Sequence, residues 1–129
     1  MGKERNPDAL IGTPTLRRRS YRHYVRHKEH ARTLIHQRLS HYNAHYGHVY
    51  KRVFIKNSKS RWGSCSSRGN LNFNYKLIFL PPEVLDYVVV HELCHLRHFN
   101  HGPEFWALVA EVLPNHKQLR AALRRLERI

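Results

Sequence analysis

The chain has 129 residues, 41% hydrophobic and 25% charged, with a formal net charge of +14. That length fits one domain with a small core. No apolar run is long enough for a transmembrane helix, and two cysteines, Cys65 and Cys94, do not make a disulfide scaffold. Residues 1–16 hold no apolar stretch of signal-peptide length, so the expected compartment is the cytoplasm, with no membrane partner.

The charge is uneven. Residues 1–61 carry 15 Lys and Arg against 3 acids, a net of +12, and residues 62–129 carry 8 against 6, a net of +2. A basic surface of this kind attracts polyanions, nucleic acid among them, and serves plain solubility equally well.

Residues 1–15 contain Gly2, Pro7, Gly12 and Pro14 with few large apolar groups, and read as a flexible N-terminal arm ahead of a domain over 16–129. Residues 20–46 lack Gly and Pro. Tyr21, Tyr24, Val25, Ala31, Leu34, Ile35, Leu39, Tyr42 and Tyr46 recur at spacings of three and four, which predicts a long helix with one apolar face. Ser20 is the expected N-cap and Gly47 the expected stop. His23 with His27, and His41 with His45, have metal-ligand spacing. Without an apolar setting and a third donor they read as surface histidines.

Residues 49–56 alternate as a half-buried strand. Residues 61–65 and 71–74 read as two more strands around a turn with Gly69, giving a small antiparallel sheet with a hairpin. Gly63 inside a strand signals a bulge or a close backbone approach. Asn72 and Asn74 share a face that reads as exposed.

Pro81 and Pro82 then introduce a helix over about 83–98. It contains His91-Glu92-Leu93-Cys94-His95 inside an apolar run. Two histidines four apart lie on one helical face and can reach one metal ion, usually zinc, while the adjacent glutamate can act as general base on a water at that ion. A buried helix with incidental histidines would not explain three polar groups in such a run, because buried polar groups need partners. Cys94 reads as a small buried residue.

A catalytic zinc needs a third protein ligand. His101 and Glu104 are the candidates. His101 is nearer, and Gly102-Pro103 suits a fixed turn beside it. Asp86, five residues before His91, has no assigned role, and His98 has several open ones. Further helices follow over 103–113 and after Asn115, the last with Leu119, Leu123 and Leu126 on one side and Arg120, Arg124, Arg125 and Arg128 on the other.

The ordered set Arg61-Trp62-Gly63-Ser64-Cys65, Leu71-Asn72-Phe73-Asn74, residues 80–95 and Asn100-His101 with Glu104-Phe105-Trp106 resembles the YgjP-like metallopeptidase family, small zincins related to the WLM and SprT-like groups. The resemblance covers about residues 20–127. It implies an α+β minimal zincin fold: a long N-terminal helix, a small sheet, the active-site helix and C-terminal helices. It also implies zinc on His91, His95 and His101, Glu92 as general base, and a protein or peptide substrate. The spacing from His95 to His101 is shared with metzincins, but those have glycine where this chain has His98. Family members often carry a small residue at the Cys94 position. SprT-like relatives act on DNA-bound proteins, an analogy for the basic half here.

Three functional readings follow. The first is a zinc metallopeptidase. The second is a nucleic-acid-associated basic binding protein whose zinc is structural. The third is histidine-rich metal buffering.

Overall fold

A computed structural model describes residues 14–127. The expected arm lies outside those residues except for its last two, which begin the first helix. Helix α1 spans Pro14–Tyr46, β1 Val53–Lys56, β2 Gly63–Cys65 and β3 Leu71–Asn74. A 3₁₀ turn, Tyr75–Phe79, leads to α2 (Pro82–His95), α3 (Pro103–Ala110) and α4 (His116–Glu127). The α+β class and the order of its parts are those expected.

Helix α1 starts ahead of Ser20, which therefore lies inside the helix and is not its cap. The Ser20 hydroxyl instead accepts a hydrogen bond from Asn57 Nδ2 at 3.2 Å. At the other end Gly47 takes a φ of +66°, and its N–H reaches the Asn43 carbonyl at 2.7 Å. The left-handed conformation there suits glycine. Ala31, Ile35 and Leu39, four apart on one face, are fully buried.

The sheet departs from the antiparallel expectation. Its order is β1-β3-β2, with β1 parallel to β3 and β2 antiparallel to it. The hairpin is legible in the sequence because β2 and β3 are joined by a short turn at Gly69, whose φ is +86°. The link from β1 to β2, residues 57–62, is long enough to step over the end of β3, so β2 takes the far edge. Asn74 pins this crossing. Its Nδ2 donates to the carbonyls of Ser58 (2.9 Å) and Arg61 (3.0 Å), and its backbone N–H donates to Trp62 O (2.9 Å). Asn74 is thus buried rather than exposed. Asn72, partly buried, donates to Ser64 Oγ at 3.2 Å.

Helix α2 is the hub. Leu85, Val88, Val89 and Leu93 pack with the buried face of α1, with Ile55, Leu71 and Phe73 of the sheet, and with Leu119 of α4. Val90 and Cys94 pack with Phe105 and Val109 of α3 in a second, smaller cluster. Burying such side chains stabilises by about 1.5–3 kcal/mol each, so α2 is held rigidly on several sides. One charge anchors it. Asp86 accepts two hydrogen bonds from the Arg38 guanidinium, at 2.8 and 2.9 Å, and one from Tyr42 Oη at 2.8 Å.

Candidate metal centre

Helix α2 is shorter than the expected 83–98. It ends at His95 because the chain tightens there: Leu96 N–H bonds Leu93 O, and Arg97 and His98 N–H both bond Cys94 O. This turn sends the chain back toward the helix. Residues 99–102 return His101 to His95, and α3 starts with proline at its first position, Pro103, where the missing N–H costs nothing.

One donor atom from each of His91, His95 and His101 lies within 4.8 Å of the others. His95 Nε2 and His101 Nε2 are 2.9 Å apart. Two imidazole nitrogens at that distance cannot both carry protons. Burial lowers the pKa of His95, and burial, followed by the charges of His91 and His95, lowers that of His101. Both effects favour neutral rings. On His95 the other ring nitrogen, Nδ1, lies 2.9 Å from the His98 carbonyl. A carbonyl only accepts, so Nδ1 carries the hydrogen and Nε2 is left with its lone pair. A ring held this way is set up as a metal ligand. The donor set therefore fits a divalent ion.

Glu92 stands beside this group, only 5% exposed. Its Oε2 lies 3.2 Å from His91 Nδ1. Gly63 of β2 faces it. A Cβ at Gly63 would sit 3.0 Å from Glu92 Cγ and 3.2 Å from Glu92 Oε2. The close approach expected at this glycine is therefore to Glu92. The same cleft, about 240 Å³, is lined by Trp62 and Gly63 from β2 and its approach, by Tyr87, His91 and Glu92 from α2, and by Arg120 and Arg124 from α4.

The other candidates fall elsewhere. Glu104 is absent from the three-donor group and lines a separate cavity with His45, His98 and Glu111. His98 lines that cavity too, and its contact with His95 is made by its main-chain carbonyl. Cys94 is fully buried, and burial pushes its thiol up to about 12, which leaves it inert. Sequence reasoning misses two features. One is the Asp86 anchor, although an acid within an apolar run demands a partner. The other is a bond from Trp62 Nε1 to Glu127 Oε2, 2.9 Å, that ties β2's approach to α4. Nothing in the local sequence marks it.

Similarity to known proteins agrees with this arrangement. The family described as "YgjP-like, metallopeptidase domain" matches residues 8–126. Among solved structures, the chain is similar to the metallopeptidase zymogen abylysin of Pyrococcus abyssi, with a TM-score of 0.63 and 24% identity over 69% of this chain and 90% of that one. It is also similar to the metallopeptidase zymogen jannalysin of Methanocaldococcus jannaschii, with a TM-score of 0.61 and 20% identity over 73% and 95%. At that identity the likeness is one of fold. No curated protein matches the chain.

Proposed function

The chain belongs to the YgjP-like metallopeptidase family, and from that premise we propose that it hydrolyses peptide bonds at a zinc ion held by His91, His95 and His101, with Glu92 as general base. The observation that carries this reading is the meeting of three imidazoles beside a buried carboxylate. A closed structural zinc site takes four protein donors, whereas catalytic sites take three and keep a position open. The group among the described residues has three, which favours catalysis over the structural alternative.

The ion would supply Lewis acidity for the scissile carbonyl and would lower the pKa of a water. Glu92 takes a proton from the attacking water and delivers it to the leaving amine, so no proton is gained or lost over the cycle. Rigid packing of α2 holds that carboxylate in place. Gly63 provides the room for it. Strand β2 is an edge of the sheet and opens on the same cleft. An extended peptide adds to such an edge through main-chain hydrogen bonds, which suits internal peptide bonds and an endopeptidase.

No described helix is long and apolar enough to cross a membrane. Both cysteines are free, in keeping with a cytoplasmic enzyme. The basic outer face of α1, with Arg22 and Arg26 exposed, is a nucleic-acid contact on this reading. DNA binding that falls steeply with salt would support it.

The test is Glu92→Gln. The variant should bind one zinc as the parent does and lose activity by about 10²–10⁴-fold, the range of general-base catalysis. Undiminished hydrolysis by the zinc-loaded variant would remove Glu92 from the mechanism.

A further inference from the structure

The C-terminal half of the chain is nearly neutral in sum, yet the cleft wall that it builds is cationic. On α4, Arg120, Leu123, Arg124 and Glu127 stand at spacings of three and four, on one helical face, and all four line the cleft that contains His91 and Glu92. Arg61, just ahead of β2, lines it as well. Against these three guanidinium groups the lining holds two carboxylates. Glu92 belongs to the catalytic group, and Glu127 is bonded to Trp62 Nε1. Among the described residues, Arg61, Arg120 and Arg124 form no ion pair with an acid.

The position of the guanidinium of Arg120 is defined. It lies over the Trp106 ring, 5.4 Å from its centroid, and Trp106 in turn stacks against the rings of His116 and His101. A planar cation on an aromatic face keeps its edge free for hydrogen bonds.

We propose that Arg120 and Arg124 are specificity-determining residues that hold a carboxylate of the peptide substrate beside the bond to be cut. This rests on the peptidase reading and names its preferred substrate class. Exposed guanidinium groups that pair with no acid among the described residues, lining one open groove, favour a carboxylate by charge-assisted, often bidentate, hydrogen bonds. The carboxylate comes from an acidic side chain or from the peptide's C-terminus, and the experiment separates the two.

The experiment measures binding to zinc-loaded Glu92→Gln protein, so turnover does not enter. Four short labelled peptides are compared by fluorescence anisotropy, with Glu or Gln beside the central bond and a free or amidated C-terminus. The carboxylate that is recognised should tighten binding about tenfold or more, the scale of one charge-assisted hydrogen bond. Discrimination that follows Glu assigns a side-chain carboxylate, and discrimination that follows the free end assigns a terminal one. Adding Arg120→Gln and Arg124→Gln should abolish it, and Lys at both positions should restore part of it, which separates recognition from folding. Lys51→Gln with Arg52→Gln, exposed residues ahead of β1 that do not line the cleft, should leave it intact and so exclude the general positive charge. Equal binding of all four peptides would overturn the proposal, as would a preference that survives loss of both arginines. Wild-type hydrolysis is read separately: carboxylate-dependent binding without cleavage would sink the peptidase reading and leave the recognition surface standing.

Discussion

On α1, His23 and His27 stand four residues apart, as His91 and His95 do on α2, yet the two pairs are used differently. His23 Nδ1 bonds the Tyr75 hydroxyl at 2.7 Å, and the His27 ring packs edge-on against Phe79, 5.1 Å away. The second α1 pair is likewise occupied. His41 packs against Tyr42, and His45 Nε2 lies 2.9 Å from Glu111 Oε1. Among the described residues only the α2 pair gains a third donor. The helical spacing is the same in each case. A metal centre needs, in addition, a segment that turns back to deliver another lone pair, and a second hydrogen bond that fixes the tautomer. The turn at 96–101 supplies both, through His101 and the His98 carbonyl.

Removing a donor should break the comparison most sharply. His95→Ala or His101→Ala is expected to weaken zinc binding by more than about 100-fold, beyond what loss of an outer hydrogen bond costs. Competition with a chromophoric chelator measures it. Unchanged affinity in His101→Ala would point back to Glu104.

Gly63→Ala tests whether α2's neighbours matter as much as its own residues. The new Cβ meets Glu92 Cγ at 3.0 Å, so the carboxylate must move. The displacement needed is a few tenths of an ångström, so zinc stoichiometry should hold at one while kcat falls by less than the roughly 100-fold that a 1 Å misplacement of a catalytic group costs.

Asp86→Asn should leave the donors in place but loosen the helix that carries two of them. Losing the charged partner of Arg38 is expected to cost about 2 kcal/mol by urea unfolding.

The α2 group should also leave a signature in pH. Burial is the main cause that lowers His95 and His101. Their folded-state values lie below the ordinary imidazole value of about 6.5. Between the two values the unfolded chain binds protons that the folded chain refuses. The stability they contribute is therefore present above about pH 6.5 and lost as pH falls through the lowered values. Metal-free protein should show a falling unfolding midpoint in that window, with a shallower fall in His101→Ala.

The smallest effect belongs to α1. His23→Asn with His27→Asn should leave zinc affinity unchanged and cost at most about 1 kcal/mol for the lost bond to Tyr75. A drop in zinc stoichiometry would show that the α1 pair does ligate.

Much of this difference is legible in the amino-acid sequence. The α2 motif is readable because both of its histidines and its glutamate lie within five consecutive residues, where helical geometry alone sets their positions. His101 is readable as a candidate because Gly102-Pro103 marks a turn. The parallel pairing of β1 with β3 is not readable, since strand alternation specifies which face is buried and is silent about which neighbour is taken. In sequence Asn74 resembles an exposed strand residue because the carbonyls that its side chain binds, those of Ser58 and Arg61, lie more than ten residues earlier in the chain. Asp86 has no visible role there because its partners, Arg38 and Tyr42, lie more than forty residues earlier.

By itself, then, the sequence determined the order of the elements, the pair of histidines on α2 with their glutamate, and the turn that brings a third. These follow from local rules: helical periodicity, proline and glycine at element ends, and ligand spacing. The tertiary structure alone decided that Gly63 makes room for Glu92, that Asp86 ties α2 to α1, and that Arg120 and Arg124 of α4 face the cleft. Each of those joins segments far apart in the chain. Their meeting depends on how whole helices and strands pack, which no short stretch of sequence encodes.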